Sequence, residues 1–128
     1  MLDNLHISKS MQRVLNGNKF SVTFDTDFSF IINRCALIER KEQDGTWITN
    51  EMIDAFIELH KSGYAHSVEV WYDDKIVGGL YGVSLGKVFF AESMFHTESN
   101  ASKFALIKLV ELLKKKEFHF LDAQVHTT

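Results

Sequence analysis

Apolar residues recur along this chain with two different periods. Where they recur every third or fourth position, the pattern predicts a helix, as for Ile53 and Phe56, and Gly63 follows as a stop signal. Where they alternate with polar residues, as from Phe20 to Phe24, the pattern predicts a strand. Together the two periods predict helices over residues 8–16, 27–37, 50–61 and 100–116, and strands over residues 19–25, 65–72, 75–84, 87–95 and 118–125.

The predicted connections determine the fold class. Turns such as Asp73–Asp74 are short enough to join antiparallel neighbours, whereas the final strand–helix–strand unit predicts one parallel crossover. The charged residues 40–45 are predicted to form a loop. This order of elements predicts an α+β fold, with a mostly antiparallel sheet and flanking helices. The same order is similar to that of GNAT-like acyltransferases.

Composition limits the classes of protein that fit this chain. A length of 128 residues predicts a single domain over residues 1–128, and 45% hydrophobic residues exclude a disordered chain. The single cysteine, Cys35, excludes an internal disulfide and favours a reducing cytoplasm. The net charge of -3 argues against a generally basic surface for nucleic acid. No CxxC, HExxH or P-loop motif occurs and the histidines show no ligand spacing, so we expect no metal site.

Polar residues in two predicted strands are candidates for chemistry. Asp122 and Gln124 lie two positions apart in the last strand, which places them on one face of a sheet. The two side chains either lie at a solvent-exposed edge or form a polar pair beside a reaction centre. Glu92 is the only charged residue in the segment 88–95, so it is exposed, paired or directed at a cationic ligand.

For the other candidate residues, a structural role is at least as common as a functional one. Trp47 lies in a loop, where it either caps the core or stacks on a base. Residues 99–102 begin the long helix and offer free N–H groups to an anion, but Asn100 as an ordinary N-cap is the commoner case. The basic residues Lys9, Arg13 and Lys19 are expected on a solvated surface, although they could contact an RNA backbone.

Several short segments, taken together and in order, closely resemble leucyl/phenylalanyl-tRNA–protein transferases. The resemblance extends from about Leu5 to the last residue. Each segment is short, and the specificity comes from finding all of them in register. They are Leu5–Met11, Gly45–Thr49, His66–Trp71, Val77–Val83, Ala91–Phe95, Asn100–Lys103 and Leu121–Val125.

This resemblance implies an activity. The family transfers leucine or phenylalanine from aminoacyl-tRNA to the N-terminal amine of proteins that begin with arginine or lysine. The product is marked for N-end rule degradation in the bacterial cytoplasm. The resemblance also implies that residues 1–128 form a GNAT-like catalytic domain, without the N-terminal domain and the C-terminal segment of family members.

The resemblance further implies roles for individual residues. Asp122 and Gln124 match the catalytic pair, and Glu92 matches the carboxylate that receives the basic N-terminal residue. Trp47 matches a tryptophan that positions the 3′-terminal aminoacyl-adenosine. No cofactor is expected, since the 3′ end of the tRNA replaces coenzyme A. The apolar pocket for the transferred side chain corresponds to Leu80, Phe89, Leu106, Leu109 and Leu113.

Two of these residues conflict with a regular strand. Phe89 and Glu92 have opposite parity, so an unbroken strand would direct them to opposite faces. Both can line one site if a β-bulge lies between them. We therefore predict a bulge near Phe90–Ala91.

Two alternative functions remain open on sequence grounds. One is a GNAT-like N-acyltransferase that uses acyl-coenzyme A, although no glycine-rich pyrophosphate loop precedes the long helix. The other is a non-catalytic domain that binds basic N-termini through Glu92. Protection by coenzyme A would favour the first, and peptide binding without turnover would favour the second.

Overall fold

The computed structural model describes residues 9–17, 19–42, 48–116 and 120–122. Within these ranges the chain forms four helices and five strands. The helices are α1 (Lys9–Asn16), α2 (Phe28–Glu42), α3 (Asn50–Lys61) and α4 (Ala101–Lys115); the strands are β1 (Ser21–Phe24), β2 (Ala65–Tyr72), β3 (Lys75–Leu85), β4 (Val88–His96) and β5 (Phe120–Asp122).

Each predicted helix and strand is present, but the predicted loop over residues 40–45 is partly wrong. Helix α2 continues to Glu42, so residues 40–42 are helical and residues 43–45 lie outside the described ranges. The extension has no apolar residues to signal a helix, but Arg, Lys and Glu are strong helix formers. Of the strand predicted over residues 118–125, the described part is Phe120–Asp122.

The five strands form one sheet in the order β1-β2-β3-β4-β5. The first four are antiparallel neighbours, and β5 pairs with β4 in parallel after the crossover through α4. The predicted α+β class, with a mostly antiparallel sheet and one parallel crossover, is confirmed. No helix among the described residues is long and apolar enough to span a membrane.

Helices cover both faces of this sheet, because alternate residues of its strands are apolar on each side. Leu80 packs in the cluster on the α4 face, and its neighbour Tyr81 packs in the cluster on the face covered by α2 and α3. Cys35 of α2 is fully buried in the second cluster, as expected for a core thiol. Helix α3 begins at a conventional cap, where the Thr49 hydroxyl accepts a 3.1 Å hydrogen bond from the Met52 amide.

Candidate functional site

A β-bulge interrupts strand β4 at Glu92. The ladder between β3 and β4 pairs Gly82 with Ala91 and Tyr81 with Ser93, which leaves Glu92 as the extra residue. The predicted bulge is therefore confirmed, one residue beyond the expected position. Glu92 is solvent-exposed, in a strand whose neighbouring residues Ala91 and Ser93 are buried.

The extra residue shifts the alternation of side chains along β4. Phe89, Ala91 and Met94 all belong to the cluster on the α4 face, although Met94 has the opposite parity to the other two. Phe95 packs on the opposite face, against α2. The bulge thus removes the conflict between Phe89 and Glu92, since strict alternation ends between them.

Gly82 allows the two strands to approach each other beside the bulge. A Cβ built on Gly82 would lie 2.8 Å from Cζ of Phe89 and would collide with the Phe90 carbonyl oxygen. No side chain fits there without movement of β4. The glycine-rich part of β3 therefore serves close backbone approach, one of the two roles expected from sequence.

Asp122, one member of the catalytic pair implied by the resemblance, lies on β5, next to this bulge. The parallel ladder pairs Phe90 with Asp122, and Glu92 follows Phe90 by two residues on the adjacent strand. Neighbouring strands lie about 4.8 Å apart, so the register brings the backbones of Glu92 and Asp122 to the same part of the sheet. Gln124 and Trp47 lie outside the described residues. Ile48, which follows Trp47, is buried against α2 and α3.

The five apolar residues implied by the resemblance lie together on the α4 face. Leu80, Phe89, Leu109 and Leu113 are buried in one cluster, and Leu106 packs against it while partly exposed. A cavity of about 290 Å³ adjoins this cluster, and Phe89, Leu109 and Leu113 contribute to its lining. Leu80 and Leu106 do not line it. Such a volume is at the small end for ligand pockets and suits a group of the size of an amino-acid side chain.

A polar cluster that sequence analysis missed lies at one end of this cavity. Asp25 and His66 both line it, and His66 Nδ1 lies 2.9 Å from Asp25 Oδ2. The Ser67 amide donates a 3.0 Å hydrogen bond to the other oxygen of Asp25. His60 Nδ1 lies 3.8 Å from Asp25 Oδ1 and 2.9 Å from the Ala65 carbonyl oxygen.

These contacts shift two pKa values in opposite directions. The hydrogen bond to Asp25 raises the pKa of His66 above its usual value, against the effect of partial burial. Burial by itself would raise the pKa of Asp25, but hydrogen bonds from His66 and the Ser67 amide outweigh it and lower that pKa. The two groups therefore stabilise each other in their charged forms.

A second missed residue is Glu69, whose side chain is fully buried in β2. Its carboxylate accepts hydrogen bonds from the Thr23 hydroxyl at 2.8 Å and from the Thr26 amide at 3.1 Å. The Asp27 amide and the Ser67 hydroxyl are further donors to it. Glu69 thereby connects the turn that precedes α2 to the sheet.

The start of α4 differs from the expected N-cap. Asn100 occupies the cap position, but its backbone is left-handed, with φ of 71°, and its side chain makes no capping hydrogen bond. The expectation of an ordinary Asn100 cap is therefore wrong. An N-cap side chain reaches the first-turn amides from an extended backbone, which the left-handed conformation does not provide.

The basic residues near the N-terminus are largely on the surface. Lys9 and Arg13 are exposed on α1, and Lys19 forms an ion pair of 3.4 Å with Glu98. Among the described residues, no group of three or more His, Cys, Asp or Glu side chains could hold a metal ion.

Comparisons of the sequence with known proteins agree on one family. The family profile described as leucyl/phenylalanyl-tRNA protein transferase matches residues 1–128. The leucyl/phenylalanyl-tRNA–protein transferase of Flavobacterium johnsoniae is 54% identical over 126 residues, covering 98% of this chain and 59% of that protein. The protein of the same name in Syntrophus aciditrophicus is 55% identical over 126 residues, covering 98% of this chain and 53% of that protein. This chain thus spans about half the length of the curated relatives it matches.

Solved structures with a similar fold include acetyltransferases. An aminoglycoside acetyltransferase from an uncultured soil metagenomic sample matches with a TM-score of 0.61 at 15% identity, covering 88% of this chain and 78% of that one. A ribosomal-protein-alanine N-acetyltransferase from Brucella melitensis matches with a TM-score of 0.59 at 10% identity, covering 87% of this chain and 82% of that one. These similarities confirm the GNAT-like fold.

Proposed function

Because this chain belongs to the leucyl/phenylalanyl-tRNA–protein transferase family, we propose that it carries the aminoacyl-transfer centre of that family. It moves leucine or phenylalanine from aminoacyl-tRNA to the N-terminal amine of a protein that begins with arginine or lysine. The observation that supports this most directly is the bulge at Glu92, next to the position where β4 pairs with Asp122. The reaction takes place in the cytoplasm, where aminoacyl-tRNA is made.

In this proposal Glu92 selects the acceptor. Its carboxylate is exposed at the bulge, where it can meet a guanidinium or an ammonium group that arrives from solvent. Proteins that begin with a neutral or acidic residue lack this attraction and are poorer acceptors.

The reaction itself requires little acid–base strength. The α-amine of the acceptor attacks the ester carbonyl of the aminoacyl-tRNA, the C–N bond forms and the ester C–O bond breaks. The amine loses a proton, and the 3′-terminal ribose oxygen of the tRNA leaves as a hydroxyl. An α-amine has a pKa of about 8, so a useful fraction is already neutral near pH 7.

Orientation is then the main contribution of the protein. We assign Gln124 to accept a hydrogen bond from the attacking amine. Asp122 orients the side chain of Gln124. Trp47 holds the terminal adenosine. Proton relay adds at most about 10²–10⁴-fold. The transferred side chain enters the apolar cluster lined by Leu80, Phe89, Leu106, Leu109 and Leu113, three of which line the cavity.

The test is transfer of labelled leucine from leucyl-tRNA to a peptide that begins with arginine. A matched peptide that begins with aspartate, the variant Asp122→Asn, and acetyl-coenzyme A as a competing donor are measured beside it. Transfer to the arginine peptide alone, lost in the variant, is the expected result. Acetylation of the peptide from acetyl-coenzyme A, with no transfer from leucyl-tRNA, would contradict the proposal.

A further inference from the structure

Arg34 of α2 has an unusual environment for an arginine. Its guanidinium carbon lies 5.8 Å from the ring centre of Phe95 and 6.0 Å from that of Phe30. The two rings are themselves 6.5 Å apart, so the three side chains form one cluster. Phe95 is fully buried, whereas Phe30 is 38% exposed. The guanidinium therefore lies at the border between the core and solvent.

The polar contacts of this guanidinium are incomplete. Among the residues that the structure describes, the buried Nε atom of Arg34 has no hydrogen-bond partner, and no carboxylate pairs with the side chain. A buried donor without an acceptor costs about 1–3 kcal/mol. Other cations of the described surface, such as Lys19 and Lys61, are close to a carboxylate.

The position of this cluster relates it to the proposed site. Phe95 lies three residues after Glu92, on the part of β4 beyond the bulge, where no pairing with β5 is described. Helix α2 also packs against Ile48, which directly follows Trp47 in the sequence. Arg34 therefore lies on a helix that contacts both β4 and Ile48.

We propose that Arg34 binds a phosphate of the single-stranded 3′ end of the tRNA, with the exposed ring of Phe30 as a stacking surface for a base. This inference rests on the proposed function. Guanidinium groups suit phosphate oxygens because they present several donors in one plane. Aromatic rings next to an arginine are a recurring platform for single-stranded nucleic acid. A phosphate would accept hydrogen bonds from the outer N–H groups of the guanidinium, which no carboxylate among the described residues pairs with.

The test measures binding of a fluorescein-labelled single-stranded RNA ending in CCA to the 128-residue chain, by fluorescence anisotropy. Arg34→Gln is expected to weaken binding about tenfold or more and to reduce the slope of log affinity against log salt by about 0.7, the value for one phosphate on a single strand. Arg34→Lys restores the salt slope but not the full affinity. Phe30→Leu weakens binding at an unchanged salt slope. Lys61→Gln is the matched surface control, without effect.

Each contrary outcome has a distinct meaning. No RNA binding by the wild-type chain, or unchanged binding and slope in Arg34→Gln, overturns the phosphate site. A higher KM for the acceptor peptide with unchanged RNA binding assigns Arg34 to a carboxylate of the acceptor and also overturns it. Transfer from leucyl-tRNA, measured in parallel, tests the proposed function separately. If RNA binding depends on Arg34 while no transfer occurs, the phosphate site stands and the proposed function fails.

Discussion

Asp25 and His66 are 41 residues apart in the chain, and a hydrogen bond of 2.9 Å joins them at one end of the apolar cavity. The contact links the end of β1 to the start of β2. Asp25 also has a positive φ of 56°, a conformation that aspartate tolerates better than most residues. The pair therefore holds a turn whose backbone is constrained.

This pair makes the stability of the fold depend on pH. The pKa of His66 is raised, so its contribution is complete below about 6.5 and is lost as pH rises through the higher value of the folded state. The pKa of Asp25 is lowered, so its contribution is complete above about 3.9 and is lost as pH falls through the lower folded value. The pair stabilises most between these limits. We expect Asp25→Asn to reduce the free energy of unfolding more at about pH 5 than at about pH 9.

Urea denaturation at the two pH values measures this difference. Asp54→Asn, on the exposed surface of α3, is the control. It should change the free energy of unfolding by the same small amount at both pH values. An equal loss of stability in Asp25→Asn at both pH values would mean that the charged pair contributes nothing specific.

Substitution at Gly82 is expected to disturb the bulge. Gly82→Ala places a methyl group against the Phe90 carbonyl and the Phe89 ring, where β4 must move to make room. Overpacking of this kind costs about 1–3 kcal/mol. We expect that loss in the free energy of unfolding, together with reduced leucine transfer, because Glu92 moves with the strand.

Gly86→Ala is the matched comparison for this prediction. A Cβ on Gly86 meets no atom within 4 Å, although its φ of +61° is unfavourable for other residues. Gly86→Ala should reduce the free energy of unfolding by about 1 kcal/mol. It should leave leucine transfer unchanged at a temperature where the variant is folded. Normal transfer by Gly82→Ala under the same conditions would show that the close strand contact is not needed for the site.

Removal of the Glu69 charge is expected to destabilise the fold. The carboxylate accepts from the Thr23 hydroxyl and the Thr26 amide, among other donors, in a fully buried position. Glu69→Gln replaces one acceptor oxygen with a donor, which leaves buried N–H or O–H groups without partners. A loss of about 1–3 kcal/mol in the free energy of unfolding is expected. Glu58→Gln, on the surface of α3, should change it by less than about 0.5 kcal/mol, and equal effects of the two would contradict this role.

Substitution of Glu92 should alter selection among acceptors without loss of stability. Because Glu92 is exposed at the bulge, Glu92→Gln should shift the unfolding midpoint little. The ratio of kcat/KM for an arginine peptide to that for a matched neutral peptide is expected to fall about tenfold or more, as a charge-assisted interaction is lost. Steady-state transfer to the two peptides measures the ratio. An unchanged ratio, with both rates reduced equally, would assign Glu92 to a general structural role.

The elements and the fold class follow from patterns along the chain, because hydrophobic periodicity is local. The alternation at Phe20 and the helical spacing at Ile53 each depend on neighbours a few residues away. The parity of Phe89 and Glu92 was enough to predict the bulge. Hydrophobic periodicity does not reveal the helical residues 40–42, since a charged helical turn has no apolar residues.

Contacts between distant segments, in contrast, arise only in the tertiary structure. Asp25 and His66, Glu69 and the turn before α2, and Arg34 and Phe95 meet only after the strands pair and α2 packs on the sheet. No local pattern marks His66 as a partner of Asp25 rather than a surface residue, because strand pairing and register place them together. A buried donor without a partner, such as Arg34 Nε, is likewise recognised only when every neighbouring acceptor has been placed.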